Sequence, residues 1–403
     1  MGDREPDLDS VHWLDLGPEE DFAGSRTPPP RWRWWYALVA AAVLAALLLT
    51  RNQRSAERPR PATAASQPAT ASVGVPGIHP PPPGLGTAES VSVTQTGRPL
   101  LDVPADWELF GQGQGVLVRV ELRNGRVTRT TVPELGAAAR IFLVVGPDRA
   151  LVHPIGLVPG YLVPDGKPAG ALPAALDQAF AVLPGPDSRH LWAETRAGTG
   201  SALSLLTLAG RPAGVQLPIP RGATVRASDR AGNVVMSGTG GVYDARADGL
   251  HRITSGSLLA IGPTRWITEE CDESYRCTSA VTDRGTGARR SLATPLDGYA
   301  QNPGAVSPDG RTAALLQPNG QGSLNLHLLD VATGAVRVTG VTTGVDRTGG
   351  SRTLAWSPDG RWLFATDGTG RLLAVSRTGQ EVALDVPGVG PLDQIALRTA
   401  AGR

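Results

Sequence analysis

Ser307-Pro308-Asp309-Gly310-Arg311 and Ser357-Pro358-Asp359-Gly360-Arg361 repeat one phrase fifty residues apart. Each copy follows a short apolar run and leads into another. Proline presets φ at the second position of a turn, Asp accepts the third, and Gly takes the left-handed fourth. That is the chemistry of a type I hairpin turn closed by a glycine bulge. A hairpin returning at this period predicts β-propeller blades.

From Leu100 to Arg398 the chain keeps the same rhythm of short strands and frequent turn signals. Comparable turns are predicted at Gly146-Pro147-Asp148, Gly185-Pro186-Asp187, Ser228-Asp229-Arg230 and Gly262-Pro263-Thr264, with a looser one at Gly111-Gln112-Gly113. Their spacing of about 34 to 50 residues gives seven units. An apolar second strand follows most of them: Ala150-Leu151-Val152, Leu191-Trp192-Ala193, Val234-Val235-Met236, Ala313-Ala314-Leu315 and Trp362-Leu363-Phe364. A second family of turns predicts outer hairpins at Asn124-Gly125, Ala209-Gly210, Thr333-Gly334 and Thr378-Gly379. After a complete last unit, Gln394-Ile395-Ala396-Leu397 is one strand too many. Ring closure predicts that it joins the first unit, beside Trp107-Glu108-Leu109-Phe110 or Val116-Leu117-Val118, so that no edge is left open.

Ser357-Pro358-Asp359-Gly360-Arg361-Trp362-Leu363-Phe364-Ala365 resembles the WD40-like repeat of the TolB-type propellers. Leu328-Leu329-Asp330 with Thr333-Gly334 resembles the outer hairpin of the same repeat. The resemblance is specific in two units and degenerate in five, over roughly 300 residues. It implies an all-β, seven-bladed β-propeller, with six or eight blades as alternatives. It also implies that Ser307, Pro308, Asp309, Gly310, Ser357, Pro358, Asp359 and Gly360 are structural residues of the blade turns, in a family made mostly of binding platforms.

Ahead of the predicted propeller (91–403) the composition changes three times. Residues 1–30 are acidic and polar, with too little apolar surface to repay ordering, and predict a disordered cytoplasmic tail. Within it, the Trp13-Leu14 segment is a small apolar island suited to docking on a cytoplasmic partner. Residues 31–51 carry an uninterrupted apolar run from Trp34 to Leu49, flanked by Trp32, Tyr36, Arg31, Arg33 and Arg51. With its edges this predicts one uncleaved transmembrane helix. Residues 52–90 are rich in Pro, Ala, Ser and Thr, including Pro80 to Pro83, and predict a semi-extended stalk. Arginine counts on the two sides of the helix do not favour a cytoplasmic N-terminus; the stalk and the cysteines do.

Cys271 and Cys277 are the only two cysteines, each bordering a strand-like run. A hairpin would set them opposite one another, which predicts a disulfide made in an oxidising compartment and a propeller held outside the membrane. With no histidine nearby, the pair alone falls short of a zinc site. Glu269, Glu270, Asp272 and Glu273 form an acidic cluster beside it, read as a solvated edge or a cation-attracting patch.

Composition bounds the rest. The net charge of +1 offers no field for nucleic acid, and 50 glycines with 35 prolines suit many turns. Lys167 is the only lysine; Arg for Lys, with heavy Ala, Gly and Pro use, marks a GC-rich coding sequence such as an actinobacterium's. The six histidines, His12, His79, His153, His190, His251 and His327, show no ligand spacing, and no nucleophile elbow, calcium loop or phosphate loop is present. No catalytic, cofactor or metal residue is therefore assigned. The expected function is a non-catalytic, membrane-tethered propeller on the outer side of the cell membrane, presenting a platform to an envelope or extracellular protein or ligand. The alternatives are an exported propeller hydrolase or lyase acting on envelope glycan or peptide, and a transmembrane signalling protein docking through its tail.

Overall fold

The computed structural model describes residues 91–399 except 96, 98, 102–105, 114, 134–140, 155–158, 199, 229–233, 239, 247, 294, 297–302, 321–322, 345–352, 385 and 387–388. The tail, the 31–51 apolar span and the stalk lie outside the described residues. Among the described residues no helix is long and apolar enough to cross a membrane.

Short antiparallel meanders succeed one another along the chain, as the paired turn families require. The first comprises β1 (Val91–Gln95), β2 (Trp107–Gly113), β3 (Val116–Glu121) and β4 (Arg126–Thr131). Next come β5 (Ile141–Val145), β6 (Arg149–Pro154), β7 (Tyr161–Pro164) and β8 (Gly170–Ala171), trailed by a one-turn helix α1 (Ala174–Asp177). The third holds β9 (Ala181–Pro184), β10 (His190–Ala197), β11 (Gly200–Thr207) and β12 (Pro212–Pro218). The fourth holds β13 (Thr224–Ser228), β14 (Val234–Gly238), β15 (Gly241–Arg246) and β16 (Gly249–Thr254). Eight strands follow: β17 (Ser257–Ile261), β18 (Arg265–Cys271), β19 (Cys277–Asp283), β20 (Arg289–Ser291), β21 (Gly304–Val306), β22 (Thr312–Pro318), β23 (Ser323–Asp330) and β24 (Val336–Gly344). Then β25 (Leu354–Trp356), β26 (Trp362–Thr366), β27 (Leu372–Ser376) and β28 (Glu381–Ala383) precede a lone β29 (Gln394–Thr399).

These strands make a β-propeller. Five sheets stand as separate blades: one of five strands, ordered β1-β4-β3-β2-β29, and four of four strands. Strands β17 to β24 instead run through as one eight-stranded sheet, joined by a parallel pairing of Ala260 with Gly304 and Ile261 with Ala305. Seven separate blades, expected from the turn spacing, are thus not what forms. The two innermost strands of this sheet, β17 and β21, come within hydrogen-bond reach of each other over these two pairs.

Period-2 alternation explains how the blades pack. On β2, Leu109 packs against Phe364, Leu372 and Ala374 of the last blade, while the next residue, Phe110, packs against Ile141 and Leu143 of the second. On β14, Val234 and Met236 join a cluster with Leu203 and Leu206, whereas Val235 packs with Leu258 and Trp266. On β22, Leu315 meets Leu259 and Ile267, and Leu316 meets Leu354 and Trp356. Both faces of a central strand are apolar because each is covered by a neighbouring sheet. The halves of the eight-stranded sheet obey the same rule: Leu259, Ile267 and Val281 face Val306, Leu315 and Leu329 across a shared cluster. That sheet therefore folds back on itself at its parallel pair.

β29 closes the ring by pairing antiparallel with β2, from Trp107 opposite Thr399 to Gln112 opposite Gln394. Within this pairing Arg398 lies directly across from Glu108, both buried. Arg398 Nε donates to Glu108 Oε2 at 2.6 Å, and its Nη2 donates to Asp165 Oδ2 at 2.6 Å. Its Nη1 donates to the Gly146 carbonyl at 3.1 Å, and the guanidinium lies 4.8 Å from the Phe110 ring centroid. Asp165 and Gly146 belong to the second blade, so one side chain ties the last strand to two blades at once. Removing one partner of a buried pair leaves the other charge unpaired, at a cost of about 3–5 kcal/mol. Arg398→Met is expected to lower unfolding free energy by about that much in denaturant titrations, and a chain stopped at residue 390 to lose its cooperative transition.

Candidate functional site

The turn residues come first, because they set the rim. Ser307 N donates to Thr312 O at 2.8 Å and Gly310 N to Ser307 O at 2.8 Å, with Gly310 at φ +70°. The Ser307 hydroxyl donates to Asp309 Oδ1 at 2.6 Å, and the same oxygen accepts the Arg311 amide at 3.1 Å. Around Ser357 the pattern repeats: its hydroxyl donates to Asp359 Oδ1 at 2.6 Å, and Gly360 stands at φ +66°. Both serines are fully buried. Burial alone would raise the Asp309 carboxyl, but the Ser307 hydroxyl, the Arg311 amide and the Arg377 guanidinium hold it below its ordinary value. Arg377 reaches Asp309 Oδ2 at 2.7 Å from the next blade and also caps the Gly360 carbonyl.

Each such turn joins the innermost strand of a unit to its second strand, so the turns gather at one end of the axis. There a cavity of about 500 Å³ opens. Leu143 and Val145 reach it from β5, Leu183 from β9, Ile261 from β17 and Ala305 and Val306 from β21. Leu354 and Trp356 reach it from β25, and Ile395 to Thr399 from β29. Pro184, Pro263, Pro308 and Pro358 form its rim. The lining is therefore the set of innermost strands, brought together only by ring closure. Trp356 is fixed by its Nε1, which donates to the Ala305 carbonyl at 2.8 Å, and Ser228 Oγ donates to the Pro184 carbonyl at 2.9 Å.

Among the described lining residues Asp187 is the one carboxylate and Arg398 the one cation. Asp187 Oδ1 accepts the Arg189 amide at 2.8 Å and pairs with His190 Nδ1 at 2.8 Å. Burial would push the Asp187 carboxyl up, yet the His190 ring and the backbone amides leave it below its ordinary value. Arg398 is committed to Glu108 and Asp165. Neither charge at this mouth is left without a protein partner.

Of the sequence-selected residues, Pro308 and Pro358 line the cavity, while Ser307, Asp309, Gly310, Ser357, Asp359 and Gly360 build the turns behind it. Cys271 and Cys277 lie at the other end of β18 and β19 from Pro263, joined as a disulfide across their register pair. Gly111-Gln112-Gly113 is not a first-unit anchor turn: it lies inside and at the end of β2. A Cβ on Gly111 would meet Leu392 at 2.4 Å, and one on Gly113 the Pro391 carbonyl at 2.1 Å. These glycines admit the segment leading into β29; with its inner strand supplied from the C-terminus, the first blade has no anchor turn of its own. Ser228 ends β13, and Asp229 and Arg230 lie outside the described residues. His153 is buried, and burial pulls its pKa down; His327 is shifted the same way for the same reason. The sequence reading passed over Trp356, Ala305 and Arg398. For Trp356 and Ala305 the signal available was the short apolar run just before each proline turn.

No family model and no curated protein matches this sequence. Among solved structures it is similar to a functionally unknown protein from Desulfotomaculum acetoxidans, at 13% identity and a TM-score of 0.48, covering 72% of this chain and 99% of that one. It is similar to TolB from Acinetobacter baumannii at 15% identity and a TM-score of 0.38, covering 72% and 82%. A periplasmic gluconolactonase from Pseudomonas aeruginosa is similar at 16% identity and a TM-score of 0.40, covering 73% and 99%. At these values the likeness carries nothing about function.

Two outcomes follow from the local geometry. Because the Asp309 carboxyl is depressed, its stabilisation is present above its ordinary value of 3.8 and is lost as pH falls below it. Asp309→Asn is expected to cost about 1–2 kcal/mol at neutral pH, with the gap to wild type closing below about pH 4 in parallel melts. The Cys271–Cys277 loop is short, so removing the bridge (C271S/C277S) should cost only about 2 kcal/mol and leave the far-UV β signal intact.

Proposed function

We propose that this chain is a membrane-tethered propeller on the outer side of the cell membrane, binding a ligand or protein partner at the proline-rimmed mouth without transforming it. The observation that carries this reading is the lining of the mouth. It is mostly Leu, Ile, Val, Ala, Pro and Trp, and its two charged side chains each already hold a protein partner. Apolar pockets with few fixed polar groups suit binding by desolvation, and an anchored tryptophan is a typical contact residue. A general acid or base in the same place would have to be Asp187, the one carboxylate among the described lining residues. The tether rests on the 31–51 apolar run and the stalk, and the outer placement on the stalk and the cysteine pair.

Each half of the eight-stranded sheet is a four-strand antiparallel meander, and a hydrophobic cluster separates the halves as it does neighbouring blades.

The decisive comparison fills the mouth. Ala305→Trp should occupy the cavity without touching the turns or the clasp at Arg398. The chain from residue 91 onward is expected to retain envelope components that Ala305→Trp fails to retain at equal thermal stability. Equal retention by both would end the channel-mouth reading; turnover of envelope glycan or peptide, lost in Asp187→Asn, would favour the hydrolase or lyase. The signalling alternative, with Trp13-Leu14 docking on a cytoplasmic partner, predicts that deleting residues 1–25 changes cellular behaviour while binding at the mouth persists.

A further inference from the structure

Cys271 ends β18 and Cys277 opens β19, and they are register partners across the hairpin with Cα atoms 3.9 Å apart. Glu269 stands two residues before Cys271 on the same strand, so its side chain leaves the same face. A Glu269 carboxylate oxygen and the two sulfurs all lie within 4.8 Å of one another. Cys271 is exposed to solvent, and Glu269 and Cys277 are half-buried. We propose that this trio is a redox-gated metal site: closed as the disulfide, and open on reduction to a thiophilic divalent cation, Zn²⁺ or Cd²⁺.

The chemistry balances with a dithiol reductant. The Cys271–Cys277 sulfur–sulfur bond takes up two electrons and two protons, and the dithiol's own sulfurs join as its disulfide. Both protein thiols then lose their protons to solvent as the cation binds, because the thiolate is the ligand. Two thiolates and one carboxylate suit a soft or borderline ion; calcium and magnesium call for all-oxygen shells. Tetrahedral ligands at a Zn–S length of about 2.3 Å sit about 3.8 Å apart. On reduction the bonded sulfurs must part to that separation, and the Glu269 carboxylate, within 4.8 Å of both, must follow them by side-chain rotation. Exposure at Cys271 leaves a fourth position for water.

The ligands stay together without the staple. Seven register pairs hold β18 to β19, from Arg265 opposite Asp283 to Cys271 opposite Cys277. Beyond them Asp272 N donates to Arg276 O at 3.0 Å, and Asp272 Oδ1 accepts the Ser274 and Arg276 amides at 2.8 and 2.9 Å. Those bonds commit Asp272 to the loop. Glu270, on the opposite face of the strand, is committed to Thr254 and Arg289. Of the acidic cluster, Glu269 is the carboxylate that strand alternation places on the face of the sulfurs and within reach of both.

The test titrates Cd²⁺ into the purified full chain, reduced with a dithiol and then freed of it, following the thiolate-to-cadmium charge-transfer band and proton release. One ion per chain, two protons released per ion, displacement by Zn²⁺ and no band in the oxidised chain are expected. Cys271→Ser should weaken both band and binding, C271S/C277S should abolish the band, and Glu269→Gln should weaken binding about tenfold or more. Far-UV circular dichroism of the reduced chain serves as the fold control. The proposal is overturned if the reduced chain binds no tighter than C271S/C277S, or if Glu269→Gln binds as well as wild type. One ion shared by two chains, or collapse of the β signal on reduction, also overturns it.

Discussion

Everything in this ring depends on the pairing of β29 with β2. Without it the inner strand of the first blade is missing, Leu109 and Phe110 lose part of their cover, and two sheet edges stand open. Hydrophobic burial alone would leave this seam free to slip, since apolar contacts are not directional. Arg398 removes that freedom. Its guanidinium fits Glu108 across the strand and Asp165 and Gly146 across the blade gap, a set of partners available in one register only. A slip by one residue would turn Arg398 to the other face and bury it among the leucines.

The same solution recurs at other seams. Arg284 donates to both oxygens of the fully buried Asp244 in the preceding blade, at 3.0 and 2.6 Å, and stacks 4.9 Å from the Trp266 centroid. Burial pushes the Asp244 carboxyl up and pulls Arg284 down to about 10, which still leaves the guanidinium charged at neutral pH. Arg377 bridges to Asp309, Arg265 donates to the Gly310 carbonyl, and Arg290 to that of Val331. Arginine suits the task because its planar fork satisfies a carboxylate and a carbonyl together. A chain with one lysine and many arginines thus uses its cations at blade seams as well as on the surface.

Seam and site are also coupled. Ile395 to Thr399 line the mouth, and Arg398 in the same strand locks the ring. The geometry of the candidate site is consequently a property of closure. The turn serines and aspartates act one step further back, holding Pro308 and Pro358 at the rim.

What the amino-acid order settled by itself is local. Ser307, Asp309 and Gly310 bond within six residues of one another, so their turn is legible wherever the phrase occurs, and alternating apolar residues announced blades covered on both faces. The surplus strand at Gln394 was legible too, because a count of strands per unit is a one-dimensional fact. Only the folded ring decided the rest. The parallel join of Ala260 to Gly304, the lining of the mouth and the grip of Arg398 on Asp165 each depend on the meeting of distant strands. Such meetings leave no spacing in the chain to read, because the force that brings the partners together acts on whole sheets and not on the residues that end up touching.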